Sequence, residues 1–253
     1  MEGPSLIILR EEIQHFVGQR LKSCTSNAPK VDCRSFKGLT LQALRSWGKH
    51  FLFCFGELTI KVHFLMFGSY RVNEVREGKT PKLSLTFPKG VIHLYSCSVQ
   101  TLTVPVDSLY DWRIDLMSDQ WDASWANSLL KNQQDELLCD VLLDQTVFAG
   151  AGNIIKNEVL YNLKLHPETP LRALDARQRK KLVQEMRDYS FRFYEWKKQF
   201  VLKRNWQIYR KRACPRCDSA VVMQSTGKLE RISFFCPHCQ SKKLGLNRKR
   251  RSR

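Results

Sequence analysis

Long apolar runs are missing from this sequence. No stretch approaches the roughly 20 consecutive apolar residues of a membrane-spanning helix. The opening MEGPSLIILREE carries acids where a secretion signal would carry its apolar core. Neither a membrane anchor nor export is expected, and the chain is assigned to a reducing compartment, either the bacterial cytoplasm at the nucleoid or the nucleus. Internal repeats are absent as well, which excludes solenoids and propellers. Acids are scarce, with 24 Asp and Glu against 42 Lys and Arg, so the net charge is +18. The imbalance is concentrated near the end, where residues 201–253 hold fifteen Lys and Arg against only Asp218 and Glu230. A segment this basic attracts a polyanion, and nucleic acid is the usual one.

What is present is a folded chain: 253 residues with 43% hydrophobic content, enough for one large or two modest cores. Residues 5 to about 21 read as a helix, with Pro4 in its first turn and Leu9, Ile13, Phe16 and Val17 on one stripe. Runs at 50–55, 58–67, 82–87 and 90–99 are short, β-branched and aromatic, and Gly56-Glu57 fits a hairpin turn between the first two. This is an antiparallel β-sandwich with a leading helix. After a boundary near 110–122 the pattern turns helical, at 127–145, 154–163 and 176 to about 197. The expected organisation is therefore α+β and multidomain. It comprises a β-domain over 1–115, a helical domain over 120–210, a small hairpin over 211–241 and a basic tail over 242–253.

The hairpin carries the strongest motif. Cys214-Pro-Arg-Cys217 and Cys236-Pro-His-Cys239 are two knuckles, with 18 residues between them. Each turns two thiolates toward one ion, and four thiolates close a tetrahedral site of the kind zinc prefers. One structural zinc is expected, held by Cys214, Cys217, Cys236 and Cys239. Strand-like segments at 220–224 and 231–235 flank a turn at Thr226-Gly227. A redox reading is poor, because there are two such pairs and no thioredoxin-like βαβ pattern. His238 reads as a bystander. The other five cysteines, Cys24, Cys33, Cys54, Cys97 and Cys139, are irregularly spaced and read as small buried hydrophobes.

The segment LLDQTVFAGAGNIIKNEVLYNLKLHP, residues 142–167, runs a helix into Gly150-Ala151-Gly152 and restarts it at Asn153. The glycines permit a tight turn with exposed backbone N–H groups, and Asn153 can cap the new helix or contact a ligand. Taken alone, this fits a structural helix-turn-helix hairpin as well as it fits a phosphate site. In detail, however, Leu142, Asp144, Gln145, Gly150, Gly152, Asn153, Glu158, Leu160, His166 and Pro167 resemble the helix-two-turns-helix (H2TH) motif of the Fpg/Nei DNA glycosylases. The ending ERISFFCPHCQ resembles that family's zinc finger, with Ser233 in place of Thr. Glu2-Gly3-Pro4 resembles its N-terminus, Gly48-Lys49 its lysine-bearing turn, and His63–Gly68 with Arg71 its His-Leu-x-Met-x-Gly…Arg strand.

That resemblance implies a base-excision-repair glycosylase with an associated lyase activity. In such enzymes the damaged base is flipped out of the duplex. An N-terminal amine attacks the sugar C1′, giving a Schiff base, and elimination then nicks the strand. A terminal amine suits the task because its pKa is about 8, against about 10.4 for lysine. The implied catalytic residues are Met1, Glu2, Lys49 and Arg231, with Glu2 as the proton carrier. The implied DNA contacts are Lys49, Met66 as the wedge, Arg71, Gly152, Asn153 and Arg231. The implied partner is damaged DNA, duplex or single-stranded, bound by a monomer.

Four departures bear on that expectation. No proline stands between Met1 and Glu2, and because Glu2 is large, Met1 is expected to be retained as the nucleophile. Ser5 replaces a second glutamate. The family's Asp-x-Arg-Arg-Phe-Gly loop, a source of two further wedge residues, is absent from the corresponding residues 93–102. The link between helices and finger lacks the long Gly-rich insert that caps an oxidised purine. The last two favour an endonuclease VIII-like preference for oxidised pyrimidines, with single-stranded or ring-opened purine lesions besides. The competing reading is a non-catalytic binder of damaged or abasic DNA with the same fold. A zinc-ribbon transcription factor would have no use for the first 120 residues.

Overall fold

The computed structural model describes residues 1–242, so the basic tail lies outside the described residues apart from Lys242. The chain divides into two compact units, Met1–Trp112 and Arg113–Arg253. In the first, helix α1 (Gly3–Glu12) begins from extended Glu2 with Pro4 in its first turn, where a missing N–H costs nothing. The helix is shorter than its apolar stripe suggests. A 3₁₀ turn (Gln14–Phe16) follows, and Gly18 adopts φ 84° while donating its N–H to the Leu41 carbonyl. Leu9, Ile13 and Phe16 remain fully buried, because the 3₁₀ turn keeps them on the side that faces the sheet.

Six strands follow: β1 (Ser23–Ser26), β2 (Ala43–Trp47), β3 (His50–Cys54), β4 (Thr59–Val72), β5 (Leu83–Phe87) and β6 (Gly90–Leu102). All pairs are antiparallel, in the order β1-β5-β6-β4-β3-β2. The two long strands pair with each other in two stretches. Thr59–Phe64 pairs with Cys97–Leu102, and Ser69–Val72 with Ile92–Tyr95. β3 flanks only the first stretch of β4, and β5 only the first stretch of β6, which lies opposite the second stretch of β4. The sandwich thus consists of two layers that share β4 and β6. Phe36, Phe51, Phe53 and Phe87 fill its core. A short helix, α2 (Val106–Leu109), closes the unit.

One cysteine reading is corrected here. Cys24 and Cys33 form a disulfide rather than lying as separate hydrophobes. Strand β1 and the 3₁₀ turn at Cys33–Phe36 bring their Cα atoms to 5.2 Å, within bridging reach. Irregular spacing conceals such a pair. Cys97 and Cys139 are free and buried, and Cys54 is free and half-buried.

The second unit is helical. Asp122 caps α3 (Ala123–Leu129) by accepting from the Ser124 and Trp125 N–H groups. The single helix expected over 127–145 is broken into α3, a 3₁₀ turn (Leu130–Gln133) and α4 (Leu138–Val141). The break has a definite cause, since residues 134–139 bond to 167–172 instead. Leu138 and Cys139 donate to Thr169 and Pro167, while Leu171 and Arg172 donate to Glu136 and Gln134. The leucine spacing survives because Leu130, Leu138 and Leu142 all enter one core. Helix α5 (Asn153–Asn162) and the long α6 (Ala176–Lys198), started by an Asp175–Gln178 capping box, complete it. Strands β7 (Val222–Thr226) and β8 (Arg231–Phe235) form the hairpin, which packs Phe234 with Tyr161 and Ile208 in a core of its own.

Candidate nucleic-acid interface and metal centre

In the first unit, Gly48 and Lys49 form the two-residue turn between β2 and β3, with Gly48 at φ 55° and Trp47 paired to His50 across it. His63 on β4 pairs with His50, and its Nδ1 lies 3.2 Å from the Lys49 carbonyl. A carbonyl only accepts, so that nitrogen carries the proton and Nε2 keeps its lone pair. Burial holds the His63 pKa below the usual value, against the hydrogen bond to Lys49. The positive charges of the terminal amine, Lys49 and Lys61 depress it further. The ring is therefore neutral near pH 7. Met1 packs against the core of the sandwich, and the charge of the terminal amine is thus felt at His63. Behind it, His50 is lowered to about 4 by burial, then by Lys61 and His63, and its ring lies near Trp47 and Tyr110. His63 stands within a family-like stretch of sequence, yet only its pairing with β3 reveals what it faces.

Further along β4 stands Met66, 76% exposed, in the irregularity between Phe64 and Ser69. Arg71 lies beyond it, exposed, donating to the Tyr70 carbonyl.

In the second unit, the Gly150 turn is braced by Gln145. Its Oε1 accepts the Gly150 N–H, and its Nε2 donates to the Leu143 and Ala151 carbonyls. Gly150 has φ 99°, which an L side chain rarely adopts. Gly152 is the N-cap of α5 and Asn153 its first residue. Asn153 does not cap the helix. Its Nδ2 donates to the Ile232 carbonyl at 2.9 Å, tying α5 to the residue that follows Arg231. Two residues that sequence reasoning placed 78 positions apart are thereby brought together.

More polar groups fix that hairpin. Lys156 is fully buried and donates from Nζ to Ser233 Oγ at 2.9 Å. Asn157 Oδ1 accepts the Phe234 N–H at 2.8 Å. The Asp140 carboxylate accepts the N–H groups of Lys228 and Leu229 at 2.9 and 3.2 Å. Gly227, at φ 68°, has no room for a side chain, because a Cβ would stand 2.3 Å from Asp140. Glu158 accepts three N–H groups from Gln207, Ile208 and Tyr209 on the segment leading into the finger. Its burial raises the pKa and those three bonds oppose it. Asp140 and Lys156 were absent from the expected site, since their partners lie more than 70 residues away.

The ligand atoms of Cys214, Cys217, Cys236 and Cys239 all lie within 4.8 Å of one another and could hold a metal ion. Closest sulfur pairs are 3.3, 3.5 and 3.9 Å apart. Metal–sulfur bonds of about 2.3 Å in a tetrahedron give edges of about 3.8 Å, so the donor set fits. Left to themselves, the thiols conflict. Bonds from Ser219 pull Cys217 down to about 5, whereas sharing with Cys217 pushes Cys239 up to about 12. A divalent cation lets all four stand as thiolates.

Residues 114–190 match the family model described as the formamidopyrimidine-DNA glycosylase H2TH domain. The chain belongs to the H2TH-containing Fpg/Nei family. It is similar to endonuclease 8-like 3 of Mus musculus, 36% identical over 216 residues, covering 82% of this chain and 36% of that protein. It is also similar to endonuclease 8-like 2 of Bos taurus, 32% identical over 200 residues, covering 73% and 59%. The chain thus spans little more than a third of the length of the endonuclease 8-like 3 relative. In fold it matches a viral DNA glycosylase, with a TM-score of 0.81 at 23% identity over 95% of this chain and all of the other. It also matches the Lactococcus lactis formamidopyrimidine-DNA glycosylase non-covalently bound to DNA containing an AP site, with a TM-score of 0.83 at 22% identity over 96% of this chain and all of that one. The β-sandwich, helical H2TH domain and four-cysteine hairpin are those of the Fpg fold.

Proposed function

We propose that this chain is a base-excision-repair DNA glycosylase with AP lyase activity, acting on oxidised bases with pyrimidines favoured. The observation that carries the reading is neutral His63 bound to the carbonyl of the Lys49 turn and within reach of the terminal amine's charge. The amine attacks C1′, the bond to the damaged base breaks, and the base leaves with a proton. Loss of the sugar ring oxygen from C1′ gives the Schiff base, and removal of a C2′ proton then expels the 3′ phosphate. Glu2 moves the protons at the sugar, and Lys49 contacts phosphate. Gly152, Asn153 and Arg231 hold the flanking phosphates, Arg71 adds a contact, and Met66 enters the vacated stack. Cys214, Cys217, Cys236 and Cys239 hold one zinc that fixes the hairpin, a structural role. The chain works as a monomer on nuclear or nucleoid DNA.

The test is borohydride trapping on abasic DNA, with peptide mapping of the adduct and sequencing of the protein's N-terminus. The adduct is expected on the Met1 amine. An adduct on Lys49, or none, overturns the mechanism, and none with retained binding establishes the non-catalytic reading. In a side-by-side cleavage assay, oxidised pyrimidines are expected to be excised faster than 8-oxoguanine paired with cytosine.

A further inference from the structure

Between the pairs Phe64–Cys97 and Ser69–Tyr95, β4 carries four residues while β6 carries one, Ser96, at φ 49°. The excess chain is pushed out as a knob. Its tip is apolar throughout: Leu65 is 51% exposed, Met66 76% and Phe67 77%. Its base is closed and anchored. At Gly68 a Cβ would stand 2.7 Å from Phe64 Cβ and 3.0 Å from the Ser96 carbonyl, so the foot packs too closely for any side chain. Beside it, Arg76 donates to Ser69 Oγ at 3.2 Å. Opposite the knob, β6 runs on as paired strand, and no second loop rises from it.

We propose that Phe67 is a nucleobase-stacking residue, and that Met66 and Phe67 together form a wedge complete within this one knob. The inference rests on the reading that the chain binds damaged DNA. Three residues are too few for a protein partner, since a stable interface takes about 800 Å² and 20–30 residues a side. They match a base step, where inserted Phe, Leu and Met side chains unstack neighbouring bases. The setting is cationic, as DNA requires. Lys61 precedes the knob on the outward face of β4, and Arg71 follows it. Phe67 supplies the aromatic face that the absent arginine- and phenylalanine-bearing loop would otherwise bring. Stacking tolerates every base, so Phe67 strengthens binding without adding sequence preference.

The experiment uses the full chain and DNA carrying a tetrahydrofuran abasic analogue beside 2-aminopurine. That analogue cannot form a Schiff base, so the result is independent of the amine chemistry that trapping reports. Wild-type protein is expected to change the 2-aminopurine fluorescence on binding. Phe67→Ala should bind about tenfold more weakly, as loss of one stacking contact does, and should lose the fluorescence change. Phe67→Trp should restore both. Equal affinity and signal for wild type and Phe67→Ala would overturn the proposal. So would weakened binding with the signal intact, or retention of wild type but not Phe67→Ala on anionic phospholipid vesicles. Metal content and circular dichroism check that Phe67→Ala is folded.

Discussion

The two units place their functional groups by different means. In the β-sandwich, backbone geometry does it: a two-residue turn presents Lys49, a register break extrudes Met66, and strand pairing sets His63 against the Lys49 carbonyl. In the helical unit, side chains do it, with buried Asp140, Lys156 and Asn157 and half-buried Asn153 all gripping one hairpin. A sheet offers fixed positions wherever its ladder bends. A small hairpin has almost no core, so its orientation must come from polar bonds sheltered from water.

The difference can be broken at its strongest point with Cys236→Ser. Metal should be lost, along with most DNA affinity, while the sandwich keeps its own unfolding transition. Metal analysis and calorimetry read both. Finding no stoichiometric zinc in the native protein would contradict the zinc assignment outright. Acid should do the reverse. His50 sits at about 4 in the fold against about 6.5 unfolded, lowered chiefly by burial. The unfolded chain therefore binds the proton more readily, and stability present above about 6.5 is lost as pH falls toward about 4. Denaturant melts across that range should show the sandwich weakening, and His50→Phe should flatten the dependence.

The finest test concerns the hairpin grip. Arg231→Ala should weaken DNA binding equally on all sequences and lower the salt slope by about one unit. Asp140→Asn should keep the metal yet weaken binding. In combination with Arg231→Ala it should show a coupling of about 1 kcal/mol, because a misplaced arginine has less to lose. Strict additivity in salt-titrated anisotropy would mean that Asp140 does not position Arg231.

Much of this architecture is legible in the chain. The run at 82–87 alternates cleanly and became β5, the short aromatic run at 50–55 became β3, and the two cysteine knuckles could be read directly. Strand β1, SCTS, is too short and polar to be read, and it is a strand only because β5 pairs with it. The break before α4 was hidden because its leucines keep helical spacing while the backbone bonds elsewhere. Asn153 was legible from the glycine turn, but its partner was not. Side chains that act across 70 or more residues leave no local period.

The tight fit of Gly227 against Asp140 bears on modularity. Residues 211–241, transplanted alone onto another scaffold, would leave behind the acceptor for two turn amides and the donors that hold β8. The finger is thus not a portable cassette. Its smallest exchangeable block begins ahead of Asp140, and inserted domains will be better tolerated near Trp112 than anywhere between the glycine turn and the last cysteine.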